Sequence, residues 1–518
     1  MNSARPLSVG RRTSYRKISG RCTDALYALH RHAGALPRLD ALLRYDNYLP
    51  ATMKLRAREV NRGLATIPLG TAAAIAFLPS DASVPGSLML SAWILTVALL
   101  ATVVLDVLSG GFERIFMAEH VLLIGMVIVL YTELLQPGYT IDLEKETIQV
   151  AFLASGAFAT AIAFGSSLRP PRLPKSVMEL SRRAYSARLL YRIVIACWFL
   201  AMLNFLAGSS FSPSAMIDGL FAGRFSAPWS RGQLGGWDAF RDFLTYFAHL
   251  VPVFTVLLAL RTGSWTNFRV LTAMACSLTC IAFISQSGGR RLIVVILGSA
   301  LITWALVKRR ELRPKHYLTV AATVLLVIVG LEIMLQVRDN GFGSLFNGEA
   351  ETKVSGVHVD NNFYSLGQTL RVIPSEVNFV GFRYLFYILV RPVPRAFWEN
   401  KPVSPGFDLA EHLGFNTVAI SITSPGELYA SYGWIGLVLG GCFLGWLARA
   451  WSQLIERDCG LAGSAFYAIG AMALFLGLRS LIELILMCYP LVCWYTLDRI
   501  LWVWVKPHPF PRQQVVLR

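Results

Sequence analysis

Apolar runs of about 20 residues recur along most of this chain, separated by short basic connections, and nothing else limits its fold so strongly. A run of that length crosses the ~30 Å of hydrocarbon in a bilayer as a helix, which satisfies every backbone N–H and C=O within the segment. A membrane β-barrel would need segments of about 10 residues in which apolar and polar positions alternate, and these runs are continuous. With 55% hydrophobic and 15% charged residues, the composition also excludes a soluble domain. The expected fold class is therefore all-α, a polytopic helical membrane protein.

About twelve spans are expected, near 64–79, 87–108, 115–135, 148–168, 189–207, 243–260, 268–285, 291–307, 317–335, 427–448, 462–478 and 481–505. Residues 1–63 form a basic region that lacks the apolar stretch of a cleavable signal. Spans one to nine occupy 64–335, a long polar segment 336–426 follows, three spans lie in 427–505, and 506–518 is a short tail.

The net charge of +17 follows this layout. Much of it lies before residue 63 (Arg11, Arg12, Arg16, Lys17, Arg56, Arg58), and more lies in the connections Arg169–Arg188 and Lys308–Lys315. Cytoplasmic retention of positive loops accounts for that pattern, so both termini are expected in the cytoplasm, the first 63 residues are suited to anionic lipid headgroups, and no nucleic-acid partner is expected. Cys276 and Cys280 share a helix face without a second ligand pair, so no metal site is expected, and no cofactor motif occurs.

By the same parity the segment 336–426 faces outward, together with several arginines that a retention rule does not explain. They are Arg224, Arg231, Arg290, Arg291, Arg338, Arg391, Arg395 and Arg479, with Lys401 on the same side. A guanidinium at a membrane boundary either snorkels or grips an anion such as phosphate. Ser287-Gly-Gly-Arg290-Arg291 is a tight turn opening a helix, and a helix N-terminus with arginines suits an anion. Arg479 has Glu483 four residues on, placed to orient its guanidinium. Phe379–Val390 is too short to span and is expected to be interfacial or re-entrant.

The candidate bases are Asp360, Glu376, Asp408, Glu411, His412 and Glu427. Glu427, after Ser424-Pro-Gly, lies where the chain re-enters the membrane. There it either acts as a base or compensates the charge of a helix N-terminus. Glu119-His120 and His249 are expected to be packing or hydrogen-bonded residues.

At Gly288-Gly-Arg290-Arg291, Pro394-Arg395-Ala-Phe-Trp398-Glu-Asn-Lys401-Pro402 and Pro425-Gly-Glu427-Leu-Tyr429, with Gly433 and Gly436 beyond, the chain resembles the Wzy-type polymerases of bacterial surface polysaccharides. The likeness extends to the architecture of many spans with one large outer loop late in the sequence. It leaves out the basic region before residue 63.

The resemblance implies a GT-C-like membrane glycosyltransferase of the bacterial inner membrane, with 336–426 as its periplasmic loop. Such an enzyme transfers a glycan from an undecaprenyl-diphosphate-linked oligosaccharide onto the next lipid-linked unit, without a metal. It implies Arg290, Arg291, Arg338, Arg391, Arg395 and Arg479 as diphosphate ligands, Glu427 and Arg395 as catalytic groups, and Trp398 (with Phe397) and Tyr429 on the sugar. Its partners would be membrane lipids, a chain-length regulator and a flippase. An O-antigen ligase would share fold and donor, and a lipid-linked oligosaccharide transporter would need a polar path across the membrane that these spans do not suggest.

Overall fold

The computed structural model describes residues 62–223, 226–229, 238–286, 289–308, 314–336, 341, 360–391, 393, 395–402, 404–415, 420–456 and 460–504. The chain divides into Met1–Ala51 and Thr52–Arg518, and all described residues belong to the second unit. The basic region 1–61, Arg224, Arg231, Arg338 and the tail 506–518 lie outside the described residues.

The described residues are helical, with no strand among them. In chain order the helices are α1 Gly63–Ala76, α2 Met89–Gly110, α3 Ala118–Met126, α4 Lys145–Ser167, α5 Lys175–Ser181, α6 Ala187–Gly208, α7 Pro213–Phe221, α8 Asp238–Thr262 and α9 Phe268–Gln286. They continue as α10 Arg290–Lys308, α11 Pro314–Gln336, α12 Asn362–Val372, α13 Phe382–Val390, α14 Leu409–His412, α15 Thr423–Glu456, α16 Leu461–Gly477 and α17 Leu481–Trp504. Eight of them (α2, α4, α6, α8, α9, α10, α15 and α17) are long and apolar enough to cross a membrane. Four shorter apolar helices accompany these, at Gly63–Ala76, Ala118–Tyr131, Val320–Met334 and Leu461–Gly477. The chain is a multi-pass helical membrane protein.

Lipid tails are as apolar as leucine, so helices in a bilayer associate by close packing rather than by escape from water. Small residues permit the closest approach, and α15 against α4, the most extensive helix pair, shows how. A Cβ on Gly445 would lie 2.0 Å from the Ile162 carbonyl oxygen, and one on Gly165 would lie 1.9 Å from that of Cys442. Gly441 faces Ala161 and Phe158 in the same seam. Gly445→Ala is therefore expected to push α15 off α4 at a cost of about 1–3 kcal/mol, read as a lower melting temperature in detergent. Gly138→Ala, where a Cβ meets nothing within 4 Å, is the matched control. Equal melting of the two variants would contradict this packing.

The segment between α11 and α15 is not a plain loop. Its helix α12 is polar for a buried element (Ser365, Gln368 and Thr369 are all inaccessible) and packs against both α4 and α15. Its first turn docks on the end of α3, which finishes in a π-turn at Val127–Tyr131. Asn362 Nδ2 donates to the Val129 carbonyl (3.0 Å), and Glu133 accepts from the backbone N–H groups of Phe363 and Tyr364. A carboxylate at these N–H groups offsets the positive end of the helix. The semi-apolar run expected to be interfacial contains α13, whose Tyr384, Tyr387 and Ile388 turn inward while Phe382 and Leu389 stay exposed.

Helix α15 is broken. Tyr432 and Gly433 leave helical geometry, and Gly433 has φ of 60°, a left-handed value that glycine adopts without strain. The break separates a half-helix, 423–431, from the long span that follows. Its freed carbonyls are used: Val380 N–H donates to Ala430 O (2.9 Å) and Gly381 N–H to Ser431 O (3.0 Å). The approach to α13 is thereby tied to the end of the half-helix.

At the far end of α15, Arg449 pairs with Glu119 (3.3 Å) and Glu456 (2.5 Å), and Ser452 donates to Glu119 (2.5 Å). His120 lies between Asp106 and the Arg114 carbonyl. Glu119 and His120 are thus hydrogen-bonded residues joining α2, α3 and α15, as the sequence suggests.

Candidate functional site

The turn from α16 to α17 places Arg479 where the half-helix of α15 begins, and a set of hydrogen bonds fixes it. Ser424 N–H donates to Leu478 O (2.9 Å), the Ser421 hydroxyl to Arg479 O (2.6 Å), and the Ser424 hydroxyl to Gly477 O. Below them lies Glu427, 2% exposed. Its Oε1 accepts from the Ser480 hydroxyl (2.5 Å) and its Oε2 from the Leu481 N–H (2.7 Å), the first backbone donor of α17. The Tyr384 hydroxyl of α13 also bonds this carboxylate. Burial, with Glu427 alongside, holds the Tyr384 phenol well above its usual range, so it stays protonated as a donor. Three separate segments of chain are thus clamped around one carboxylate.

Above this clamp the arginines meet. Arg479 donates through Nη1 to Glu483 Oε1 (2.7 Å), the i,i+4 pair anticipated from spacing, and through Nε to Asp360 Oδ2 (2.9 Å). From the first turn of α10, Arg291 reaches the same Glu483 oxygen (2.9 Å), and Arg290 reaches Asp360 Oδ1 (3.5 Å). Burial works against the charge on Arg479, yet Glu483 and Asp360 outweigh it and raise its pKa above the ordinary guanidinium value. Among the described residues, three guanidinium groups meet at two carboxylates. Asp360 is the accessible member, its side chain 48% exposed. The cluster has the parts of a phosphate site: forked donors from two helix beginnings, gathered where the Asp360 side chain is half exposed.

The remaining candidates sit elsewhere. Arg391 lies at the end of α13, with Nη1 donating to the Tyr387 hydroxyl (3.0 Å) and the guanidinium over that ring. Lys401 is buried beneath the following turn, its Nζ donating to the carbonyls of Arg391 (2.8 Å) and Val393 (2.7 Å). Burial, then Arg391 and Arg395 nearby, lowers the Lys401 pKa. Arg395 is exposed on that turn and pairs with no described carboxylate. Trp398 sets its ring edge-on to Phe386. Tyr429 is buried between Phe379 and Trp434 at the break in α15. Thus Arg290, Arg291 and Arg479 converge, Arg391 and Arg395 lie in the turns that follow α13, and Arg338 lies outside the described residues.

Of the other acidic candidates, Asp408 caps α14 through the Ala410 N–H (2.9 Å), and Glu376 pairs with His412 (2.9 Å). No cluster of three metal-ligating side chains occurs among the described residues. The sequence offers Asp360 as a candidate base but not as the partner of the arginines, and it gives no notice of Ser480 and Tyr384 as partners of Glu427. Their only signal was a polar or hydroxyl residue beside a helix start, and their contacts span long sequence separations. Comparison with protein-family models, with curated proteins and with solved structures gave no match.

Proposed function

We propose that this protein is a membrane glycosyltransferase that polymerises undecaprenyl-diphosphate-linked oligosaccharide units into a surface or secreted polysaccharide, at the periplasmic face of the bacterial inner membrane. The observation that carries the reading is the convergence of Arg290, Arg291 and Arg479 beside a broken helix. The resemblance to Wzy-type polymerases, carried by the motifs around Arg290, Trp398 and Glu427, supplies the reaction class. In this reading the eight long and four shorter apolar helices make twelve spans of a GT-C-like fold, with both termini cytoplasmic and the arginine cluster outside.

The chemistry suits the geometry. A glycosyl diphosphate already carries a good leaving group, so catalysis consists mainly of stabilising the charge that grows on the departing oxygen. Forked guanidinium donors held by Glu483 and the Glu427 clamp are aligned before the donor arrives, and little reorganisation remains at the moment of reaction. Arg391 and the exposed Arg395, in the turns after α13, add positive charge for the glycan-bearing diphosphate, and Trp398 offers a ring to a sugar face. Glu427, with both oxygens engaged, holds the Arg479 turn in this account.

Deleting the gene and resolving the polysaccharide on a gel tests the reading. The expected result is loss of the long-chain ladder, with single repeat units retained. An unchanged ladder would remove the polymerase assignment, and single units lost together with long chains would point to a ligase.

A further inference from the structure

We infer that Asp360 is the general base of the transfer, kept idle by Arg290 and Arg479 until the donor's diphosphate takes those arginines from it. The inference rests on the diphosphate reading of the cluster and adds the residue that activates the acceptor.

Among the described residues three carboxylates lie within the cluster or beneath it, and two are committed. Glu427 is inaccessible, with one oxygen on Ser480 and the other on the Leu481 N–H. Glu483 gives Oε1 to two arginines, and its Oε2 is buried, out of reach of an incoming hydroxyl. Asp360 alone of the three is half exposed. Its contact with Arg290 is long, at 3.5 Å, against 2.9 Å for Arg479. Its backbone is steadied by the Asn362 N–H on its carbonyl (2.8 Å) and by the docking of α12 on Val129 and Glu133 just beyond. The side chain can therefore swing while its Cα stays placed.

In the resting site the Asp360 carboxylate occupies the ligand position of an anion, with an oxygen on each of two guanidinium groups. A diphosphate offers more charge and more acceptor oxygens to the same donors, so it displaces the carboxylate. Released from the two guanidinium groups, the Asp360 carboxylate has both oxygens free to accept a hydrogen bond at the edge of the bound phosphates. The acceptor hydroxyl oxygen then attacks the anomeric carbon of the donor, and its proton passes to Asp360. The bond from the anomeric carbon to the diphosphate oxygen breaks, and its electron pair leaves with the undecaprenyl diphosphate between Arg290, Arg291 and Arg479. When that product departs, Asp360 gives the proton to water and returns to the arginines.

This arrangement has a signature that a structural role lacks, because Asp360 competes with the ligand it serves. The full-length protein in nanodiscs is assayed for affinity to undecaprenyl diphosphate and for turnover of lipid-linked oligosaccharide extracted from cells lacking the gene. Asp360→Asn is expected to bind undecaprenyl diphosphate several-fold more tightly while its kcat falls by about a hundredfold or more, the typical contribution of a general base. Asp360→Glu recovers part of kcat, and its binding of undecaprenyl diphosphate shows that the site is folded. Unchanged or weaker binding in Asp360→Asn, or retained kcat in that variant, would overturn the inference. A wild-type protein that does not bind undecaprenyl diphosphate, or an Arg479→Ala variant that binds it equally well, would instead remove the diphosphate reading itself.

Discussion

Arg479→Ala is expected to lower turnover of lipid-linked repeat units by about a hundred- to a thousandfold, the range found when one preorganised donor to a developing anion is removed. The guanidinium sits at the crossing of the site, on Glu483 through Nη1 and on Asp360 through Nε, and its backbone is fixed by Ser421. Arg479→Lys is expected to recover little. A lysine offers a point charge on a flexible stem and cannot hold two carboxylates, or two phosphate oxygens, in a fixed fork. Turnover by purified protein and affinity for undecaprenyl diphosphate should fall together in both variants. Lysine at wild-type turnover would show that charge alone suffices and that the fork geometry has no role.

Glu427→Ala is expected to have the second large effect, through folding. Removing the carboxylate strands the Ser480 hydroxyl and the Leu481 N–H in a buried site, at about 1–3 kcal/mol for each group left without a partner. The half-helix of α15, the start of α17 and Tyr384 of α13 lose their common anchor. The melting temperature should drop clearly for Ala and much less for Glu427→Gln, whose amide oxygen still accepts. Turnover should follow the same order, since the turn that carries Arg479 is what Glu427 holds. Gln melting like wild type but lacking all turnover would restore Glu427 as the base.

The helices are legible because each apolar run is local: seven of the eight helices long enough to cross a membrane lie within a few residues of an expected span, and α15 runs eight residues past the end expected for it. The Arg479–Glu483 pair was legible for the same reason, being one helical turn apart. Helix α12 was not, because Asn362–Val372 has no apolar run; it is buried by docking on α3, α4 and α15, which no local pattern encodes. The sequence offers Asp360 as a base but not its arginines, since 119 residues separate it from Arg479 and no local pattern encodes that contact. Arg395 and Trp398 drew notice through a local concentration of arginine, proline and tryptophan. The fold sets them in the turns after α13, and no hydrogen bond or ring contact joins them to Glu427. The break at Gly433 lay within an otherwise continuous run, visible only as one glycine among several.

The most direct test of the central claim is the length of the lipid-linked product. Purified protein in nanodiscs is incubated with undecaprenyl-diphosphate-linked repeat units, and the products are sized by gel and mass spectrometry. The account predicts a ladder of lipid-linked chains growing by whole repeat units, absent with Arg479→Ala. Repeat units that stay single under wild-type protein, or that move intact to another acceptor, would contradict it.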